Sequence, residues 1–275
     1  MSQMQLLARC LQAAGYTLST KGDGLYLLHV DPENSSLVAK FWVEDKVADQ
    51  ELIATSVRPN SSASYIITST DKLAVCISPS STLRVVRYDE DEEDWVDDDT
   101  IGQLSVHPES KVVATASVDQ KTHVVFQDPS NNLIHLDTAW NATVLPVKPV
   151  AGTPLATIVA DDGVNVFYIS AVDNRLHCVT GGDSWNDAAC GQYIFEATPK
   201  QIYLMEKEGG QGELEVFTMT EKNEIQQIAA GQAKILGKVD ETGKFVPSTT
   251  EECCFIISFC VPICRPCYRP YWCCW

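Results

Sequence analysis

Two stretches decide the fold. The first runs His123-Val-Val-Phe-Gln127, a polar turn, Asn132-Leu-Ile-His-Leu136, then Trp140. The second runs Asn165-Val-Phe-Tyr-Ile169, a polar turn, Asn174-Arg-Leu-His-Cys178, then Trp185. Each holds two short apolar runs of β character separated by Asn-, Asp- or Ser-rich turn residues, the pattern of antiparallel strands joined by tight connections. Each is preceded by another such run, Lys111-Val-Val-Ala-Thr-Ala116 and Pro154-Leu-Ala-Thr-Ile-Val159. The unit repeats every 40–50 residues, the period of a four-stranded propeller blade.

Working outward, the same unit fits the flanking sequence. A later copy reads Gln201–Met205, Glu215–Met219 and Asn223–Gln227 as first, second and third strands. An earlier one takes Lys72–Ile77 as its inner strand and Leu83–Arg87 as its second, and carries Trp95. The first copy reads Tyr16–Ser19, Leu25–His29 and Ser36–Trp42. A small twisted sheet cannot bury both faces alone; stacked radially, each covers the next. The expectation is an all-β fold, a β-propeller of five to six short antiparallel blades over residues 16–250. A lead-in or short amphipathic helix occupies 1–15, and a Cys-rich tail occupies 251–275. Cys254–Phe259 is the candidate sixth inner strand.

Composition narrows the function. The 275 residues carry 37 carboxylates against 20 Lys and Arg, a formal charge of −17 that gives phosphate no basic footprint and excludes a nonspecific nucleic-acid binder. The N-terminus lacks the basic start and unbroken apolar run of a secretory signal, so a cytoplasmic location is expected. Nine carboxylates fall in the eleven residues Asp89–Asp99. They lack EF-hand order and read as a solvated loop rather than a cation site. His135 and His177 read as one repeat position in two units rather than a metal pair. No catalytic motif or phosphate loop stands out, and no cofactor or metal is expected. Seven of the eleven cysteines lie in the tail. Zinc binding, S-acylation to a membrane, and loss of a sixth blade's reading frame remain three readings of that segment.

The units from His123 to Trp140 and from Asn165 to Trp185 resemble blades of the fungal fucose-specific lectins, six-bladed propellers. The resemblance implies an Arg on the second strand and a Glu on the third that hydrogen-bond sugar hydroxyls, with aromatic rings from an adjacent blade stacked on the sugar. Carried over, the Arg position reads Tyr26, Arg84, His123, Asn165 and Glu215, and the Glu position Ala39, Leu136, Cys178 and Gln227. Only Arg84 keeps the family residue, with Glu92 or Glu93 as its partner. The implied ligand-binding set is Arg84, Glu92, Trp95, His123, Trp140 and Trp185. The function expected is lectin-like binding of a glycan or hydrophobic small molecule between blades, with a homodimer as one assembly. The alternative is a secondary-metabolism cyclase or isomerase that uses the degenerate propeller as an apolar pocket.

Overall fold

Second strands in this chain are apolar along nearly their whole length because neighbouring blades cover both their faces. The computed structural model shows why. It describes residues 2–248, apart from 69–70, 118, 161–162, 182–183 and 207–213. Those residues form five small antiparallel sheets in a ring, a five-bladed propeller, with one N-terminal helix, α1 (Gln3–Gln12). The strand expected at 254–259 and the tail lie outside the described residues.

Each blade is a simple meander. Blade 1 is β1 (Gly15–Leu18), β2 (Leu25–Asp31), β3 (Ser36–Val43) and β4 (Lys46–Ala54). Blade 2 is β5 (Ser64–Ile67), β6 (Lys72–Ile77), β7 (Leu83–Asp89) and β8 (Asp94–Asp97). Blade 3 is β9 (Val112–Ala116), β10 (Thr122–Gln127), β11 (Leu133–Leu136) and β12 (Ala142–Val144). Blade 4 is β13 (Ala156–Ala160), β14 (Gly163–Ile169), β15 (Arg175–Thr180) and β16 (Asn186–Ile194). Blade 5 is β17 (Gln201–Glu206), β18 (Leu214–Met219), β19 (Glu224–Ala229) and β20 (Gln232–Val239), extended by β21 (Phe245–Pro247). The first strands β1, β5, β9, β13 and β17 touch in that order around the axis. They line an axial cavity of about 180 Å³.

The turn between second and third strands repeats as the sequence implies. Each places one residue at positive φ: Ser35, Ser81, Asn131, Asn174 and Asn223. Asn is favoured there because its short amide tolerates the left-handed region. In four blades a backbone bond closes the turn: Ser78 N to Thr82 O, Asp128 N to Asn132 O, Ser170 N to Arg175 O, and Thr220 N to Glu224 O.

Two assignments change. In blade 2 the inner strand is the short Ser64–Ile67, so Lys72–Ile77 is the second strand and Arg84 stands on the third. The family's Arg position there is Leu73, five residues before the turn, and not Arg84. Four residues opening on Ser carry too little alternation to register as a strand. The blade 4 turn is one residue longer than that of blade 3, which shifts the ladder. His135 pairs with Val125, but His177 pairs with Tyr168, and it is Cys178 that matches His135. The two histidines therefore face opposite sides of their blades, and Leu136 does not hold the Glu position.

The core lies in five interblade layers. Leu28, Ala39 and Tyr65 fill the layer between blades 1 and 2. Val75, Val85 and Phe126 fill the next, and Val125, Val166 and Tyr168 the third. Phe167, Ile202 and Val216 lie between blades 4 and 5. Helix α1 closes the last junction. Its buried face of Met4, Leu7, Ala8 and Leu11 packs with Leu25 and Leu27 of blade 1 and Tyr203, Met205, Phe217 and Met219 of blade 5. Gln5 Nε2 and Gln12 Nε2 both donate to Gly243 O, and Gln5 Oε1 accepts from Phe245 N, so the helix is bonded to the outer hairpin of blade 5. The lead-in is thus a structural part of the propeller.

Candidate functional site

The ring order gives each blade pair the same layout. The second- and third-strand residues at the family's Arg and Glu positions face the following blade. That blade's hairpin between third and fourth strands supplies a Trp that packs back onto them. Trp42 of blade 1 packs on the blade 5 layer, and Trp95 of blade 2 packs on the blade 1 layer. Trp140 of blade 3 packs on the blade 2 layer, and Trp185 of blade 4 packs on the blade 3 layer. A Trp seated this way fills its junction with a large apolar body.

Of the six residues singled out in the sequence, five fall in three different junctions, and Glu92 lies outside them. Arg84, on β7, is committed to structure. Its Nε and Nη2 donate to Asp97 at 2.8–3.0 Å, and its Nη1 donates to the carbonyls of Thr55 at 2.6 Å and Ser56 at 3.3 Å. It ties blade 2 to the strand leaving blade 1. Trp95 pairs with Tyr88, four residues further along β7, which puts it about 13 Å from Arg84 along the strand. Glu92 lies on the exposed tip of the β7–β8 hairpin, where its N–H donates to Asp89 Oδ1. Trp95 itself joins an aromatic cluster: Tyr26 against Phe41 at 4.6 Å, Tyr26 against Tyr65 at 5.5 Å, and Tyr65 against Trp95 at 5.7 Å. The indole N–H donates to Glu51 Oε1 at 2.8 Å. Arg84→Ala is therefore expected to cost stability, about 1 kcal/mol for a half-solvated charged pair, in urea denaturation. It should leave any sugar affinity unchanged by titration calorimetry.

His123 and Trp185 do come together, through a residue the alignment misplaced. His123 Nδ1 lies 2.9 Å from His135 Nε2, a hydrogen bond in the place of the family's Arg–Glu pair. Trp185 sits edge-on to His135 at 5.0 Å. A Cβ at Gly181 would lie 2.5 Å from the Trp185 ring, so glycine makes room for this lid. Burial lowers His123 and pushes His135 down to about 4, so the pair stays neutral at neutral pH and offers no fixed charge to a ligand. Trp140 covers the purely apolar junction of blades 2 and 3, against which Ile101 and Leu104 also pack.

The junction of blades 4 and 5 breaks the pattern. The hairpin that should present a Trp reads Ala229-Ala-Gly231. Ala230 sits at φ 49° in a two-residue turn closed by the Ala229–Gln232 pair, shorter than the loop over 137–141 that carries Trp140 in blade 3, and no ring is present there. In its place is an open cleft of about 490 Å³. Leu176, Phe195, Val216 and Ile228 form an apolar floor, and Gln192 and Tyr193 bring polar groups to the rim. Tyr193 and Phe195 meet at right angles, 4.9 Å apart. Glu215 borders the cleft, on the strand face it shares with Phe217 and Met219 of the blade 1 side. Asn165 and Cys178, at the Arg and Glu positions, are not among the residues that line the cleft, and Asn165 Oδ1 accepts from Thr180 Oγ1 at 2.7 Å. The size suits a small ligand. Among the described residues no His, Cys, Asp and Glu cluster is arranged to hold a metal ion, and no helix is long and apolar enough to cross a membrane. None of the six sequence candidates lines this cleft. The one available signal was a late unit without its Trp.

The sequence matches no protein-family model and no curated protein. In structure the chain is similar to AofleA from Arthrobotrys oligospora, at 13% identity and a TM-score of 0.63, over 85% of this chain and 73% of that one. It is similar to the Aleuria aurantia lectin, a six-bladed β-propeller with a fucose recognition mode, at 14% identity and 0.55, over 84% and 80%. It is also similar to the BP39L lectin of Burkholderia pseudomallei, at 16% identity and 0.54, over 87% and 71%. The chain has the propeller fold of these lectins.

Proposed function

We propose that this protein is a lectin-like binding protein that takes a small glycan in the cleft between blades 4 and 5. The observation that carries the reading is the missing Trp: four junctions are capped and this one is open. Fucose and its glycosides are the first candidates, because solved neighbours of the same fold recognise fucose. Leu176, Phe195 and Val216 would meet the apolar face of the sugar ring. The Gln192 amide and the Tyr193 hydroxyl would hydrogen-bond its hydroxyls. With one carboxylate, Glu215, and no cation among the described lining residues to make a charge-paired grip, single-site affinity is weak.

A glycan array followed by calorimetry with methyl α-L-fucoside and any array hit tests the reading. Gln192 is exposed, so Gln192→Ala leaves the fold intact. It should weaken binding about fivefold, the worth of one neutral hydrogen bond of roughly 1 kcal/mol. No binding to any glycan, or unchanged affinity in the variant, would count against this site. The enzyme alternative draws no support from the neighbours, which are lectins.

A further inference from the structure

The wall of the cleft is an irregular piece of β16, and a pair of cysteines sits at its root. β15 and β16 pair normally through Cys178 with Ala188 and His177 with Ala189. The ladder then breaks, and the next pair is Arg175 with Ile194. Leu176 is thus opposed by the whole run Cys190-Gly-Gln-Tyr193, which bulges out of the strand and lines the cleft. Such a bulge has lost its ladder bonds, so its position depends on other contacts.

Cys190 opens the bulge. It lies diagonally across the strand pair from Cys178, on the same face, with its Sγ turned to the carbonyl of Ala188, the residue directly opposite Cys178. Cys178 Sγ meets Thr180 Oγ1 at 3.8 Å, and Cys190 Sγ reaches Ala188 O at 3.9 Å. Both are free thiols; Cys190 is exposed and Cys178 half-buried. Cys10 and Cys76, by contrast, are sealed in the core, where burial pushes both thiols up, Cys76 to about 12. The neighbouring Cys190 holds the Cys178 thiol below its ordinary range and is itself raised in return. An accessible thiol beside a second one is the setting in which a disulfide forms.

We propose that Cys178 and Cys190 form a reversible disulfide that fixes the wall of the blade 4–5 cleft, a redox control on the binding site and dependent on that reading for its purpose. With a peroxide as oxidant, the Cys178 thiolate attacks one peroxide oxygen. An S–O bond forms, the O–O bond breaks, and hydroxide leaves. The Cys190 sulfur then attacks the sulfenic sulfur of Cys178. The S–S bond forms, and the sulfenic hydroxyl departs as water with the Cys190 proton. Two thiols and one hydrogen peroxide give one disulfide and two waters. A small dithiol reverses the step by exchange.

The test uses the full chain and needs no sugar. Reduced protein is exposed to hydrogen peroxide, the remaining thiols are alkylated in denaturant, and the digest is read by mass spectrometry. The expected product is a peptide pair joined Cys178 to Cys190, restored to separate peptides by dithiothreitol and absent from Cys190→Ser and Cys178→Ser. Cys10 and Cys76 should stay alkylatable. Hydrogen exchange on the same samples should show the amides of residues 190–193 several-fold slower in the oxidised protein and unchanged in Cys190→Ser. A bridge from either residue to a tail cysteine, separate sulfinic acids at 178 and 190, or unchanged exchange in the bridged protein would each overturn the proposal. Sugar binding is then compared between the two redox states. Failure to find a glycan would count against the binding reading alone.

Discussion

Leu7→Ala is expected to destabilise the protein by about 3 kcal/mol, the middle of the range for truncating a buried leucine. Leu7 has no exposed surface. It sits on the helix face that fills the junction of blades 5 and 1, among Leu25, Met205, Phe217 and Met219. A ring needs every junction closed. The other four are closed by one blade against the next, whereas this one depends on a ten-residue helix. Such a helix has little stability of its own in water, so its burial is what holds it in place. Its start is capped by Ser2, whose hydroxyl accepts from Gln5 N at 3.2 Å. Its polar side is bonded to Gly243 and Phe245 of blade 5. A hole at Leu7 weakens the helix and the closure together, and against a typical total of roughly 5–15 kcal/mol the loss is severe. Urea denaturation followed by tryptophan fluorescence should show the midpoint fall with little change in slope. Leu7→Met, which conserves volume, should cost under about 1.5 kcal/mol.

Ala230→Trp is expected to abolish ligand binding while leaving the fold intact. The substitution gives blade 5 the residue that the other four blades carry in the same hairpin. Ala230 lies in a two-residue turn at φ 49°, a backbone region in which this chain already holds an indole, Trp140 at φ 61°. The ring would lie over Phe195, Val216 and Ile228, as Trp185 lies over His135 one junction earlier. Burial of an indole on an open apolar floor is favourable, so thermal stability should hold or rise. Any glycan found on the array should lose all measurable affinity in calorimetry. Retained binding would place the ligand elsewhere, with the capped junctions the next to be examined.

Much of the fold is legible along the chain, because blade strands are local and carry their own signals. The second strands stand out since both faces are covered, and the turns stand out since Asn131, Asn174 and Asn223 need positive φ. The errors have physical causes. Ser64–Ile67 is too short to show a period, which moved every later strand of blade 2 by one place and gave Arg84 a sugar-binding position. In the structure its guanidinium is spent on Asp97 and on two carbonyls from blade 1. The extra residue in the blade 4 turn separated His177 from His135. His177 instead bonds Asp187 at 3.0 Å and Asp173 at 3.2 Å on the other side of the sheet.

The sequence by itself determined the unit: its strands, its turns and its recurring Trp, all set by contacts within about fifty residues. Only the tertiary structure decided what the units do to one another. Which face of a blade meets its neighbour, which junction a Trp closes, and how a short helix completes the ring depend on groups far apart in the chain and adjacent in space. The cleft is the clearest case. The hairpin at Ala229–Gly231 carries no ring, and it borders an open cleft only because blade 4 stands opposite with Tyr193 and Phe195.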